Sequence, residues 1–215
     1  MLTRNVLIKI YKESVVGRKN LPNFEAGGRR KFWGLLNVVF NRYDKSRVRE
    51  VGGDRACAEW LLRNGAAIKY ENSTEWLKDY NVLPPINVRP KIVEVDASDS
   101  SISHAGGGFK HFEHTKHIRR LKLHRCNYMF DDALYHLPVL SFSLKDLQIS
   151  GCPNVSDDGI LALSNMLDLE KLTMFDLIGV KDRIKCLEVL KNYLSKCEID
   201  FREESERLKP VVKEE

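Results

Sequence analysis

The chain has 215 residues, 43% hydrophobic and 30% charged, which is room for one large domain or two small ones and enough apolar material for a core. That balance excludes a chain disordered throughout, and the lack of any apolar run near ~20 residues excludes a helical membrane span. The net charge of +5 points at first to an anionic partner.

Most of that charge is local. Residues 1–31 carry Arg4, Lys9, Lys12, Arg18, Lys19, Arg29, Arg30 and Lys31 against only Glu13 and Glu25, a local +6, so the rest of the chain sums to −1. The same stretch mixes these bases with Leu2, Val6, Leu7, Ile8, Ile10 and Tyr11. It has neither the unbroken apolar stretch nor the small-residue cleavage site of a secretory signal, and its basic, acid-poor character suits a mitochondrial transit peptide. We read residues 1–28, ending at Gly27-Gly28, as a targeting leader; an ordinary basic helix is the alternative. The five cysteines, an odd number without a Cys-x-x-Cys pair, fit a reducing compartment.

Residues 29–85 read as a helical cap. Phe32 to Asn41 (FWGLLNVVFN) is apolar on most faces and predicts a buried helix. Asp44 is placed to cap a second helix through Val48 and Val51. Gly52-Gly53-Asp54 opens a third, with Ala56, Ala58, Trp60, Leu61 and Leu62, and Asn64-Gly65 is its stop signal. Trp33, Trp60 and Trp76 are expected to pack this unit.

Residues 86–203 contain a repeat. The pattern L-x-x-L-x-L-x-x-N/C occurs as Ile118, Leu121, Leu123, Cys126, then as Leu144, Leu147, Ile149, Cys152, and again as Leu169, Leu172, Met174, Leu177. Val93, Val95 and Ser98 form a weaker copy upstream, and Leu194, Cys197 and Ile199 one downstream. Ser103, Asp131, Asp157 and Asp182 recur before apolar residues at helical spacing and are read as helix caps. A strand turning into a helix cannot bury its own apolar face, so such units must stack. The expected architecture is α/β: a leucine-rich-repeat solenoid of four to five repeats of 25–26 residues behind the N-terminal helical cap. Cys126 and Cys152 fall on neighbouring rungs, as buried thiols rather than a redox pair. Residues 204–215 read as a charged, solvated tail.

Other clusters carry less. His111, His114 and His117 stand at i, i+3, i+6 without a cysteine or carboxylate to complete a zinc set, and read as a solvated helix face. Gly106-Gly107-Gly108 lacks the Lys-Ser/Thr of a phosphate loop and reads as a turn. No G-x-S-x-G or H-E-x-x-H occurs, so no catalytic residue is assigned and the chain is read as a non-enzyme.

The stretch from Phe32 to Tyr70, the VDASDS segment from Val95 and SGCPNVSDDGILAL from Ser150 together resemble the ATP synthase subunit s family, also called coupling factor B. The resemblance covers roughly residues 30 to 200 and implies a non-catalytic mitochondrial protein, peripheral on the matrix side of the inner membrane. It implies a role in energy coupling and proton transport at the membrane sector of ATP synthase. It further implies a bound Mg²⁺, with ligands matching Gly65 in LLRNG and Ser98 in VDASDS, where a threonine is usual. On the residues alone, Gly65 is a helix C-cap and Ser98 fills the repeat's Asn/Cys slot. Vertebrate-type members carry a Cys-x-Cys at the end of the second repeat strand; here His124, Arg125 and Cys126 leave one sulfur, which puts a dithiol role in doubt. The related distal membrane arm assembly proteins of complex I share the architecture, so an assembly factor for that complex is one alternative. A cytosolic repeat adaptor of a ubiquitin ligase is another.

The expected partner face is the row of residues alternating with the buried ones: Glu94, Asp96, Arg120, Lys122, Asp146, Gln148, Lys171 and Thr173. They carry both signs, which fits a protein interface rather than nucleic acid.

Overall fold

The computed structural model describes residues 34–203. The expected leader, Trp33 and the expected tail lie outside the described residues.

The described residues begin with three helices. Helix α1 runs through residues 34–40. Asp44 then caps α2 (Lys45–Val51) by accepting from the Arg47 amide at 3.0 Å. Helix α3 (Gly53–Arg63) stops at Asn64, and Gly65 follows with φ +87, a left-handed conformation that glycine adopts without strain. Cys57, Ala58, Trp60 and Leu61 on α3 are fully buried. The expectation of a buried first helix needs correction: Leu36 and Phe40 are inside, whereas Leu35, Val38 and Val39 are exposed, because α1 packs along one stripe only.

A six-stranded mixed sheet follows, in the order β1 (Ala67–Tyr70), β2 (Ile92–Asp96), β3 (Arg120–His124), β4 (Asp146–Ser150), β5 (Lys171–Phe175) and β6 (Glu198–Arg202). Strand β1 pairs antiparallel with β2, and every later pair is parallel. Between the parallel strands lie α4 (Asp131–His136), α5 (Asp157–Ala162) and α6 (Arg183–Tyr193), with 3-10 segments at Ala105–His114, Leu137–Leu140 and Leu163–Asn165. The fold is α/β, and its parallel register partners stand 25 to 27 positions apart. Val95, Leu121, Leu147 and Leu172 form one buried row through the stack, and Leu123, Ile149 and Met174 another.

That register moves the first repeat. Val95 pairs with Leu121, so Ala97 and Ser100, not Val95 and Ser98, take the places of Leu123 and Cys126. The Cys126 thiol donates to the Ala97 carbonyl at 3.1 Å and lies 3.7 Å from the Ser100 hydroxyl. Ser98 is therefore not the turn residue. Cys126 and Cys152 are both fully buried; the hydrogen bond with Cys152, and then burial, push the Cys126 thiol well above its usual range.

The helix starts also differ in part from the reading of four caps. Ser103 accepts from the Ala105 amide and Asp182 from the Lys185 amide, as expected. Asp131 and Asp157 instead sit inside their helices and reach to the next unit. Asp131 accepts from the amide and hydroxyl of Ser156, and Asp157 from the amides of Lys181 and Asp182. Each aspartate thus ties one turn to the following one. Gly159 is needed at this joint, since a Cβ there would collide with the Asp131 carboxylate.

Past β2, β3, β4 and β5 the backbone turns through a left-handed residue at equivalent positions: Asp99, Arg125, Gly151 and Asp176, with φ between 53 and 61°. The amides of the first three donate to the carbonyls of His124, Ser150 and Phe175, extending the ladder beyond the strands.

The cap meets the sheet around Trp60. Its indole stacks on His111 at 5.1 Å and meets Phe109 and Phe112 edge-on, while its N–H donates to Asn41 at 2.9 Å. His111 is thus a core side chain, not part of a solvated face, and burial lowers its pKa to about 4. Gly106 and Gly107, at φ 64 and 85°, form the kink that turns the 105–114 segment onto this cluster. Trp76 is 37% exposed and rests against Lys69 rather than in the core. Replacing Trp60 by alanine should destabilise the protein by ~3–5 kcal/mol, the range for burying and then deleting a large aromatic; an unchanged urea midpoint would show that this contact is dispensable.

Candidate functional site

All eight residues expected on the partner face lie on the outward side of β2–β5, and the register sorts them into rows. The first row runs Lys69, Glu94, Arg120, Asp146, Lys171, Glu198 across all six strands. The sign of charge alternates at every step. Glu94 pairs with Lys69 at 3.5 Å and with Arg120 at 3.0 Å, and Arg120 pairs with Asp146 at 3.3 Å. The second row runs Asp96, Lys122, Gln148, Thr173, Asp200, with Asp96 and Lys122 at 3.4 Å. In the third, His124 Nδ1 and the Ser150 hydroxyl are 2.8 Å apart, and Gln148 donates to that hydroxyl at 3.0 Å.

In-register parallel stacking places equivalent residues directly opposite each other, where like charges destabilise and unlike charges help. The alternation is the arrangement that lets a charged row exist on such a face. The charges largely satisfy each other, so the face offers an ordered, nearly neutral polar surface. At the start of the strands, Glu71, Val93, Arg119, Lys145 and Glu170 join this row to line a shallow open groove of about 620 Å³.

The two positions matched to a metal come together at one corner. Gly65 lies two residues before β1 and Ser98 two after β2, and the Ala67–Asp96 pairing sets those ends side by side. The Ser101 amide donates to the Asn64 carbonyl at 2.9 Å and holds the corner closed. The Ser98 hydroxyl donates to Asp96 Oδ1 at 2.5 Å, and the Ser98 amide donates to the same oxygen at 2.9 Å. Burial pushes the Asp96 carboxyl up, but the Ser98 bonds and Lys122 outweigh it and hold it below its usual range. Carbonyl, hydroxyl and carboxylate oxygens are all hard donors, the kind Mg²⁺ takes. Among the described residues, no group of three or more His, Cys, Asp or Glu side chains could hold a metal.

Beneath this corner lies a buried polar network that the sequence did not announce. Asn41 donates to the Asn37 and Ser101 carbonyls at 3.0 Å and accepts from Trp60 and the Ser103 amide. Asn64 donates to the Phe40 and Trp60 carbonyls and accepts from Ser101. Nearby, Glu59 is buried between Arg47, at 2.6 Å, and Arg55, at 3.0 Å, and Arg55 also donates to the Pro84 carbonyl. Burial alone would raise the Glu59 carboxyl; the two guanidinium groups reverse that and lower it. These groups fix the cap to the first rung, and asparagine in a helix-end context gave no sign of it.

Fold and face define an α/β protein of stacked strand–helix units that presents a wide, self-paired polar surface. No family model matches the chain. It is similar to mammalian proteins named ATP synthase subunit s, mitochondrial, among them the following. The human protein is 39% identical over 195 residues, 88% of this chain and 95% of its own length. The bovine protein is 40% identical over 87% and 94% of the two chains. The rat protein is 42% identical over 79% and 86%. The chain belongs to the ATP synthase subunit s family.

The charge row yields a prediction. Arg120→Ala should cost about 1 kcal/mol or less in urea unfolding, since exposed cross-strand pairs contribute ~0.2–1 kcal/mol each. Arg120→Glu, which sets like charges opposite both neighbours, should cost more, and high salt should narrow the gap. Equal midpoints for the two variants would contradict the row.

Proposed function

We propose that this chain is a non-catalytic peripheral subunit of mitochondrial ATP synthase, on the matrix side of the inner membrane, acting in energy coupling and proton transport at the membrane sector. The observation that carries this reading is the 39–42% identity, across most of both chains, with proteins named as subunit s of that enzyme. On the same reading the architecture is a leucine-rich-repeat solenoid with a helical cap. The 25–26-residue recurrence and its continuous inward rows support it. Among the described residues no helix is long and apolar enough to cross a membrane.

The chemistry assigned to the chain is presentation and not turnover. Asp131 and Asp157 brace successive units, the cap closes one end, and the strand face holds a fixed polar pattern for a partner. Mass spectrometry of complexes from mitochondria expressing the tagged chain, with ATP synthase and complex I resolved after mild detergent extraction, tests the assignment. The tag should travel with ATP synthase. Recovery with complex I would replace this reading by an assembly role, and cytosolic recovery with a ubiquitin ligase would overturn both.

The Gly65–Ser98 corner is proposed as a Mg²⁺ site, held by the Gly65 carbonyl and the Ser98 hydroxyl, with Asp96 positioning that hydroxyl. The ion would fasten the end of α3 to the end of β2. Calorimetric titration with MgCl₂ should show binding by the native chain and at least ~tenfold weaker binding by Ser98→Ala; full retention would remove Ser98 from the ligands.

A further inference from the structure

Parallel stacking puts the turns that lead into β3, β4 and β5 along one edge of the sheet and the turns that leave them along the other. On the leading edge, Ile118, Leu144 and Leu169 are buried, and the residue two positions before each points outward: Lys116, Phe142 and Leu167. Phe142 is 89% exposed and Leu167 64%. Large apolar side chains held at turn tips gain nothing from the fold and favour transfer from water to an apolar medium.

The charge on this edge is mainly basic. Lys116 and Arg119 are exposed and form no ion pair with a described residue, and Arg89 lies on the approach to β2. The acids here are Glu71, Glu94, Asp146, Asp168 and Glu170, and all but Asp168 are ion-paired: Glu71 with Lys91 at 3.6 Å, Glu170 with Lys145 at 3.5 Å, and Glu94 and Asp146 with Arg120. The trailing edge also exposes apolar side chains, Phe130 and Ile178 among them, but its charge has the opposite sign: Asp99, Asp131, Asp132, Asp157, Asp158 and Asp182 outnumber Arg125, Lys181, Arg183 and Lys185. The stack is therefore polar from edge to edge.

We propose that the leading-turn edge docks on an anionic phospholipid surface, with Phe142 and Leu167 entering the headgroup region and Lys116 and Arg119 contacting lipid phosphates. An apolar tip flanked by cations is the combination that a negative bilayer surface recognises. The acidic trailing edge would be repelled by that surface, so the orientation is set: strands stand with their first residues towards the lipid. This rests on the peripheral-membrane reading above and names the surface responsible. It is independent of which complex the chain joins.

Vesicle sedimentation tests it, using phosphatidylcholine vesicles with and without phosphatidylglycerol. The full chain is used throughout, so that residues 1–28 contribute equally to every comparison. The native chain should bind the anionic vesicles and release them in high salt. Phe142→Ser with Leu167→Ser, and separately Lys116→Gln with Arg119→Gln, should each lower the partition coefficient at least ~tenfold. Asp132→Asn, on the trailing edge, should leave binding unchanged, and circular dichroism should show every variant folded. Unaltered binding by both double variants would overturn the proposal. So would vesicle binding that is absent while the same variants lose co-purification with ATP synthase, since the edge would then serve a protein. Loss of vesicle binding in a chain that co-purifies with no ATP synthase would uphold the lipid edge and fail only the assignment of complex.

Discussion

Strands β3, β4 and β5 each turn two large apolar residues to the same side, and none finds a partner for them within its own unit. Leu121 is buried by Leu147 and Val95, Leu147 by Leu172, and so on along the stack. Everything else in the molecule accommodates that dependence. A register of 25 to 27 residues keeps these rows continuous, and a slip of one residue would turn every inward side chain to water. The ends of the stack then need covers. At the first rung the helical cap, Trp60 and antiparallel β1 supply one.

The same stacking that buries leucines inside forces equivalent outward residues into contact. The face could carry one charge only by alternating it, as the row from Lys69 to Glu198 does. A partner that meets this face finds few unpaired charges and must match shape and hydrogen-bonding pattern. The edges are different. There the backbone of each turn is still tied to the next unit, but its outward side chains are not stacked in register, and the two edges carry opposite charge, one mainly basic and one acidic.

Much of this was legible in the sequence. The inward residues of β3, β4 and β5, the limits of α2 and α3 and the outward face all follow from short-range periodicity, which the packing reinforces. The register of the first repeat is ambiguous by two residues in the sequence because β2 is apolar on both sides: Ile92, Val93 and Val95 fit either register, and only pairing with β3 decides it. Asp131 and Asp157 look like caps, but the next unit's turn offers them better donors than their own helix does. His111 looked solvated until the Gly106-Gly107 kink turned it onto Trp60. The metal corner could be named only by resemblance, since nothing in Gly65 and Ser98 as residues marks a ligand.

Native-state hydrogen exchange measures the dependence of one rung on the next most directly. The amides of β3, β4 and β5 should open together, with one free energy equal to that of global unfolding, because no rung keeps its apolar row without its neighbours. Separate opening of β4 at a free energy well below that of β3 and β5 would contradict the account.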